Sequence, residues 1–325
     1  MQHYLKFVPP FQIIQNILER YNFKNIVFYI DIMSISRGFF NVGTIHLEID
    51  NFVHNNKQLP NIFFKECQDF YNSLFSKFKL YNPKFITFYD DGKCIQNRSI
   101  YKPYKADRGS YIEKLLIEDS EKELFRQIKT YYFSEFPSKF NIKNLSSVLF
   151  IQDYETDFIP YAIITNNYLN SQNFDTLNII FSTDKDLLQT CQFKNVIQCC
   201  TIYSPKEGKL KFYTLSDDNA IEYIYKNFKP GILTSKYIPL ILALSGDSAD
   251  NIPGIKSIGE SKACKLISTY NLPAEIHSGI DFKELNQYKE TILRNFKLIS
   301  FEEQLKRVPI TFCTSIKNQI ENIIH

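Results

Sequence analysis

Three short apolar runs of strand length, each followed within two residues by aspartate, restrict the fold more than any other feature of the sequence. The runs cover residues 25–30, 85–89 and 177–182, and the aspartates are Asp31, Asp90 with Asp91, and Asp184 with Asp186. Continuous apolar strands separated by helical stretches are typical of a parallel sheet covered on both faces. We therefore predict an α/β fold with a Rossmann-like parallel central sheet flanked by helices.

The aspartates have a chemical consequence if the strands are parallel. The carboxyl ends of such strands lie at one edge of the sheet, where open α/β sheets place their sites. A single strand-end aspartate is more often a turn former or a helix N-cap. Several carboxylates at one edge would instead repel one another and raise their pKa values unless cations neutralise them. Oxygen ligands of this kind select Mg²⁺ or Mn²⁺.

A second acidic feature lies in residues 243–260. Asp247 and Asp250 are three residues apart, so a helix there would point both carboxylates from one face. Pro253 and Gly254 are expected to end that helix, and Gly259 to allow a second tight turn before a helix restarts near residue 262. Such a hairpin offers backbone N–H groups and a helix N-terminus to a phosphate. An acidic face joined to a phosphate-binding turn indicates a nuclease.

A further apolar run at residues 147–151 leads into Asp153, Glu155 and Asp157. Asp153 is a candidate cap for the following helix, with Glu155 and Asp157 in its first turn. The alternative is that these acids only complement the helix dipole. Pro160 deep inside a helix would cost about 3 kcal/mol, so the helix either starts late or is kinked.

Residues 98–108 combine basic and aromatic side chains just after the second strand-end aspartate. This mixture suits phosphate contact with base stacking, although a solvated helix face has the same pattern. Residues 111–140 alternate charges with aromatics and are expected to be helical. The members of the basic stretch are Arg98, Tyr101, Lys102, Tyr104, Lys105 and Arg108.

The composition fits a globular chain, because 44% of its 325 residues are hydrophobic and the formal net charge is only +3. The seven cysteines form no Cys-x-x-Cys pair, so neither a zinc site nor a disulfide framework is expected. The longest apolar run, near residues 237–244, is too short to span a bilayer. We expect an intracellular, cytoplasmic protein.

The rest of the chain suggests two regions. A packing helix is predicted near the start, with Phe11, Ile14, Leu18 and Tyr21 at helical spacing. Residues 196–213 read as short strands or loops with a turn at 204–208, and the chain from about 237 reads mostly helical. We expect an α/β catalytic domain over residues 1–235, with a basic gateway segment at about 92–140, and a helical DNA-binding region over residues 236–325.

On these motifs the sequence resembles the 5′ nuclease superfamily, which includes flap endonucleases, phage 5′–3′ exonucleases and the 5′ nuclease domain of bacterial DNA polymerase I. Residues 182–189 resemble its Asp-x-Asp strand-end motif, and residues 246–260 resemble its helix–three-turn–helix motif. Residues 104–108 and 154–157 resemble its Tyr-Lys-x-x-Arg and Tyr-Glu-Ala-Asp-Asp segments. The resemblance implies a PIN-like α/β fold with a helical helix–hairpin–helix DNA-binding region.

The resemblance also implies site residues and cofactors. Two divalent ions, Mg²⁺ or Mn²⁺, are expected per active site, and K⁺ is expected at the hairpin. The first divalent ion would be held by Asp31, Asp90 or Asp91, Glu155 and Asp157. The second would be framed by Asp184, Asp186, Asp247 and Asp250. The basic catalytic residues implied are Lys105, Arg108, Arg98 and Arg37. The DNA-binding residues implied are Tyr104, Lys102, Gly254, Lys256, Ser257, Gly259 and Lys262.

Two departures from the family pattern stand out. Phe158 occupies the position where the family usually has a second aspartate, so one carboxylate is lost. Arg37 lies one residue nearer to Asp31 than the family spacing, which puts its role in doubt.

The implied activity is metal-dependent hydrolysis of DNA with 5′ ends or flaps, as a 5′–3′ exonuclease or flap endonuclease. RNA primers in RNA–DNA hybrids are further expected substrates, which gives an RNase H-like activity. A monomer that works beside a single-strand-binding protein or polymerase in replication or repair is expected, and the short format suggests a viral source.

Two alternatives remain. A DNA-structure-binding protein with weakened or absent catalysis is motivated by Phe158. A PIN-type ribonuclease would share the acidic sheet edge but does not explain the hairpin.

Overall fold

Six strands form a mixed sheet at the centre of the fold: β1 (Asn25–Asp31), β2 (Lys84–Tyr89), β3 (Ser146–Phe150), β4 (Thr176–Phe181), β5 (Val196–Ser204) and β6 (Lys209–Leu215). Their order is β3-β2-β1-β4-β5-β6; β1 to β5 are parallel and β6 is antiparallel to β5. This computed structural model describes residues 10–31, 34, 59–89, 94–106, 146–150, 154–170, 175–204, 209–224 and 233–309.

The predicted α/β fold with a mostly parallel sheet is confirmed, and of the short strands or loops expected over residues 196–213 the structure has strands, which are longer than predicted. β5 and β6 are nine and seven residues long and pair along most of their length. Polar residues obscured this pattern in the sequence. Gln198, for example, is fully buried because its amide donates to the backbone carbonyls of Ser182 and Asp184. The predicted helices at residues 111–140 and the loop at 205–208 lie outside the described residues.

Helices cover both faces of the sheet, which explains why its strands read as uninterrupted apolar runs. On one face lie α1 (Phe11–Tyr21) and α2 (Leu59–Phe78), and the rings of Phe28 and Phe78 are 5.8 Å apart there. The predicted N-terminal helix is confirmed. Its last residue, Tyr21, does not pack as expected and is 61% exposed, because the helix ends there.

The other face is covered mainly by helices from the second half of the chain. The further helices are α3 (Ile95–Ile100), α4 (Ile159–Asn170), α5 (Ala220–Ile224), α6 (Ile238–Ser245), α7 (Glu260–Tyr270), α8 (Lys289–Ile299) and α9 (Phe301–Leu305). The first seven residues of α6 are all buried, in the same core as Val27 and Tyr29 of β1. The mostly helical region expected from about residue 237 is confirmed. None of the described helices is long and apolar enough to cross a membrane.

The acidic pair is not on a helix, as the sequence suggested. α6 already ends at Ser245, because Gly246 adopts a left-handed φ of 81° as its C-cap. Asp247 is extended in a two-residue strand that pairs with Ile252–Pro253, and Asp250 ends a 3-10 turn. The turn, rather than one helical face, therefore brings the two carboxylates together.

Gly259 also has a different role from the predicted one. Its φ of −89° is ordinary, and it is the N-cap of α7. Between Pro253 and Glu260 the residue with a left-handed backbone is Ser257, with a φ of 66°. The predicted helix after the hairpin is confirmed, but it begins at Glu260.

Candidate metal centre

The sheet topology places a crevice beside β1. The chain moves outward from β1 to β2 and β3, and then returns to β4 on the other side of β1. Crevices at such a reversal, at the carboxyl ends of the strands, are the usual sites of open α/β sheets. Asp31 ends β1 at this point, and the segment from Ser182 to Asp186 follows β4.

Hydroxyl groups hold the buried carboxylate of Asp31. The Ser182 hydroxyl donates to Asp31 Oδ2 at 2.7 Å, and the backbone N–H of Ser34 donates to Oδ1 at 3.1 Å. The Ser34 hydroxyl also donates to Oδ2. Ser182 in addition accepts from the N–H of Asp184 at 3.0 Å, so one serine orients the ends of two neighbouring strands.

Asp184 continues this arrangement. Its Oδ1 accepts from the N–H of Asp186 at 2.9 Å. Burial is the largest influence and raises the pKa of Asp184; the hydrogen bond from Asp186 lowers it, and the nearby charge of Asp250 raises it again. The net pKa is raised, which is the expected result for an acid in a crowded negative environment.

Three carboxylates form a compact acidic group among the residues that the structure describes. One oxygen from each of Asp186, Asp247 and Asp250 lies within 4.8 Å of the other two. Burial, and then the charges of Asp184, Asp247 and Asp250, raise the pKa of Asp186 well above its usual range. Asp186 Oδ1 is buried and accepts no hydrogen bond within the part of the chain that the structure describes. A buried carboxylate oxygen without a hydrogen-bond partner destabilises the folded state unless a cation neutralises its charge.

A partly exposed lysine supplies some positive charge to this group. Lys185 Nζ lies 3.2 Å from Asp247 Oδ2. Burial lowers the pKa of Lys185, but Asp247 and Asp186 together outweigh it, so the pKa is raised.

A second buried group adjoins the first through Asp250. The Lys105 ammonium forms an ion pair with Glu155 and lies 3.4 Å from Asp250 Oδ2. The Tyr104 hydroxyl lies 2.8 Å from Glu155 Oε2 and 3.0 Å from Asp250 Oδ2, and its single proton serves one of them at a time. Burial, followed by the charge of Glu155, raises the pKa of Tyr104 well above 10.

The backbone fixes this second group as well. The N–H of Lys105 donates to the backbone carbonyl of Asp250 at 3.0 Å, and Lys105 itself has a left-handed φ of 49°. Arg98 donates to the carbonyls of Tyr104 and Lys105 at 3.1 and 3.2 Å. Arg98 therefore holds the loop that carries Lys105.

The structure brings together six of the predicted metal ligands: Asp31, Glu155, Asp184, Asp186, Asp247 and Asp250.

Asp157 is half-buried in the turn before α4. α4 begins at Ile159, so Glu155 and Asp157 precede it instead of lying in its first turn, and Pro160 takes an early position that a helix tolerates. The late start is therefore confirmed, and Glu155 pairs with Lys105 instead of lying in the first turn of the helix. Asp90, Asp91, Asp153, Arg37 and Arg108 lie outside the described residues.

One of the predicted DNA contacts is contradicted. Tyr104 is only 2% exposed, so it cannot stack on a base in this conformation; its hydroxyl serves the acidic group instead.

The hairpin residues remain candidates for phosphate contact. Lys256, Ser257, Gly259 and Lys262 are exposed, as is Lys102 in the loop after α3. An open groove of about 770 Å³ separates the hairpin from the loop after α3, and its lining includes Tyr101, Gly254, Gly259 and Glu260.

The groove depends on a close backbone approach at Gly254. A Cβ atom there would lie 2.1 Å from the carbonyl oxygen of Ser245. The buried amide of Asn295 ties the same region together by donating to the carbonyls of Ala243 and Pro253 at 3.0 and 2.8 Å.

Sequence reasoning missed several residues around the acids. The supporting polar residues are Ser34, Ser182, Lys185, Asn97, Asn295 and Arg307. Ser182 and Lys185 belong to the strand-end motif, so their position in the sequence next to Asp184 and Asp186 could have identified them as part of the site. Asn97, Asn295 and Arg307 lie far away in the sequence, and no local pattern marks them.

Comparison with known proteins agrees with this architecture. Residues 233–321 match the family model described as the C-terminal SAM fold of 5′-3′ exonucleases. The DNA polymerase I of Caldicellulosiruptor bescii is 30% identical over 184 residues, which are 57% of this chain and 18% of that protein. A 5′-3′ exonuclease of Mycoplasmopsis pulmonis is 29% identical over 218 residues, which are 66% of this chain and 61% of that protein. The chain spans 18% to 29% of the length of three DNA polymerase I relatives.

Solved structures show the same fold. The D15 flap endonuclease of bacteriophage T5, in a complex with DNA and metal ions, superposes with a TM-score of 0.64 at 16% identity and covers 93% of this chain and 100% of that one. The T5 5′-exonuclease with bound zinc gives a TM-score of 0.60 at 15% identity, with coverages of 92% and 100%. These similarities, together with the sheet topology and the sequence motifs, support the 5′ nuclease superfamily as the family that this chain resembles.

Proposed function

We propose that the chain is a divalent-metal-dependent 5′ nuclease that hydrolyses phosphodiester bonds of DNA. The observation that carries the proposal is the buried Oδ1 of Asp186, which has no hydrogen-bond partner among the described residues and belongs to the same compact group as Asp247 and Asp250. Like charges this close in a buried site require a cation. Carboxylate oxygens favour Mg²⁺ or Mn²⁺ over softer metals.

The carboxylates of the site are ligands of the kind that would bind the two divalent ions that the family resemblance implies. Asp184, Asp186, Asp247 and Asp250 would hold one, and Asp31, Glu155 and Asp157 would contribute to the other, together with Asp90 or Asp91. Such ions, when bound, activate a water and stabilise the leaving oxygen of a phosphodiester. Arg98, Arg108 and Arg37 would neutralise charge on the scissile phosphate, whereas the buried Lys105 would act within the site as the counter-ion of Glu155 and Asp250.

We infer that the exposed side of the hairpin contacts duplex phosphates. Lys256, Ser257 and Lys262 are exposed there, and K⁺ would bind at the same turn. The α/β part up to about residue 235 would perform hydrolysis, and the helical part from 236 would bind DNA. The flap endonuclease solved with DNA and metal ions supports this substrate class.

The biological setting is proposed on the same basis. The DNA polymerase I relatives support a role in replication. RNA–DNA hybrids are proposed as further substrates, and the chain is proposed to act as a monomer beside replication proteins.

The test is cleavage of a 5′-flap DNA labelled at its 5′ end, with Mg²⁺, Mn²⁺ or EDTA. Wild type should release short labelled products only with metal, and Asp186→Asn should release none. Asp218→Asn, which changes an exposed acid outside the site, is the matched control and should cleave normally.

The same experiment distinguishes the alternative function. Phe158 has a hydrocarbon side chain, which is 1% exposed, so it offers no oxygen ligand where the family usually has an aspartate. Tight, salt-sensitive DNA binding without cleavage in either metal would replace the proposal with a DNA-structure-binding protein.

A further inference from the structure

Glu155 is held by a buried amide that no motif of the sequence identified. Asn97 of α3 is 4% exposed, and its Nδ2 donates to Glu155 Oε2 at 2.8 Å. The thiol of Cys94 approaches the other oxygen, Oε1, at 3.4 Å. Asn97 therefore fixes one side of this carboxylate, on the helix that precedes the Lys105 loop.

The other end of the Asn97 amide contacts a residue from the far end of the described chain. Arg307 Nη1 donates to Asn97 Oδ1 at 2.9 Å. The remaining contacts of this guanidinium are backbone carbonyls: Nε donates to Glu303 at 3.2 Å and Nη2 to Lys297 at 2.8 Å. The ends of α8 and α9 thus hold Arg307 in one orientation, directed at Asn97.

The chemistry of these groups determines which way the amide points. A guanidinium can only donate hydrogen bonds, and an ionised carboxylate can only accept them. An amide between the two has one favourable orientation, with its oxygen towards Arg307 and its nitrogen towards Glu155. A flipped amide would oppose donor to donor and acceptor to acceptor.

On the proposed function, in which Glu155 is a metal ligand, we propose that Arg307 and Asn97 are positioning residues for that ligand. Arg307 fixes the orientation of the Asn97 amide, and Asn97 fixes the orientation of the Glu155 carboxylate. The C-terminal helices thereby contribute to metal affinity without contacting the metal. Partners of this kind typically change metal affinity by about 10–100-fold when they are removed.

The experiment measures the Kd for Mn²⁺ in the full chain, by electron paramagnetic resonance of the free ion, without DNA. Arg307→Met and Asn97→Ala should each raise the Kd about 10–100-fold. The double variant should bind no more weakly than Asn97→Ala alone, because Arg307 acts through Asn97. Lys306→Met removes a neighbouring exposed charge, which within the described residues pairs with Glu302 and Glu303, and should leave the Kd unchanged.

Two further measurements keep the test decisive. Arg307→Lys retains the aliphatic stem and one donor, so it should fold like wild type by circular dichroism and show a smaller rise in Kd. A higher concentration of Mn²⁺ should restore the kcat of Arg307→Met for DNA cleavage to the wild-type value, since the substitution lowers the occupancy of the metal site and nothing else.

Two outcomes would overturn this inference: folded Arg307 variants with an unchanged Kd for Mn²⁺, or a double variant in which the losses of affinity of the two single variants add. In either case, cleavage of DNA by the wild type would leave the proposed function intact. A wild type that neither binds Mn²⁺ nor cleaves DNA would overturn both.

Discussion

The ammonium nitrogen of Lys105 lies 3.4 Å from Oδ2 of Asp250, and the two side chains are only 3% and 5% exposed. Glu155 is the second acid paired with this lysine. One buried cation therefore bridges two acids that reach the site from distant parts of the sequence. Its effect on stability can be measured in the absence of metal and DNA.

We expect Lys105→Met to destabilise the protein in EDTA by about 3–5 kcal/mol, because removing one member of a buried ion pair leaves uncompensated charge. Urea unfolding in EDTA measures the change. Lys102→Met alters an exposed lysine of the same loop and should cost less than about 0.5 kcal/mol. Equal stability of the two variants would contradict the role of Lys105 as an internal counter-ion.

Divalent ions should stabilise the wild-type protein. An ion that binds only the folded state adds about 2.7 kcal/mol at a concentration of 100 times its Kd, so millimolar Mg²⁺ should raise the thermal midpoint. Scanning calorimetry with NaCl at matched ionic strength separates this effect from screening. The rise should shrink in Asp186→Asn, and an unchanged wild-type midpoint would argue against a preformed acidic cluster.

Asp186→Asn should abolish cleavage and yet stabilise the metal-free protein. Burial and neighbouring acids raise the pKa of Asp186 in the folded state, and a pKa difference of one corresponds to about 1.4 kcal/mol. We expect a gain of more than about 1 kcal/mol at pH 8 in EDTA.

The same residue predicts a pH dependence. The pKa of Asp186 is higher in the folded state than in the unfolded state, so the folded state binds the proton more tightly. As the pH rises above about 4, loss of this proton therefore lowers the free energy of unfolding. The stability difference between Asp186→Asn and wild type should therefore widen from pH 5 to pH 8. Denaturant unfolding at several pH values checks this, and a difference that narrows would refute the assigned direction.

Gly254→Ala should destabilise the fold by about 1–3 kcal/mol or more, because the added methyl would overlap the backbone at Ser245. Gly259→Ala is the matched control within the same hairpin. A Cβ there meets no atom within 4 Å, and the φ is ordinary, so little change is expected. Urea unfolding compares the two variants, and an equal loss in both would show that the close approach is not decisive.

The sequence predicted the acidic edge well because its cause is local. A buried parallel strand needs apolar residues, and the residues that follow it lie at the edge where sites form, so Asp31, Asp184 and Asp186 could be placed together without a structure. The hairpin was recognisable from Asp250, Pro253 and its glycines, although its turn geometry was not.

The buried polar contacts could not be predicted, because each joins elements that only tertiary packing brings together. The alternation of tyrosine and lysine in residues 101–105 has the same appearance whether the side chains face solvent or acids. Gln198 hid a long strand, since a buried glutamine whose amide nitrogen donates to backbone carbonyls resembles a loop residue in the sequence. Asn97 and Arg307 meet only after α8 and α9 have packed.

The order of the sheet and the acids along the chain has a consequence for biosynthesis. All six strands of the central sheet are complete at Leu215, whereas Asp247 and Asp250 follow later. Because chains emerge from the ribosome N-terminus first, a nascent chain possesses the scaffold before it possesses the acids that complete the cluster. Translation itself would thus delay the completion of the acidic cluster until after the sheet has been made, and a product truncated after the sheet would lack both of these carboxylates.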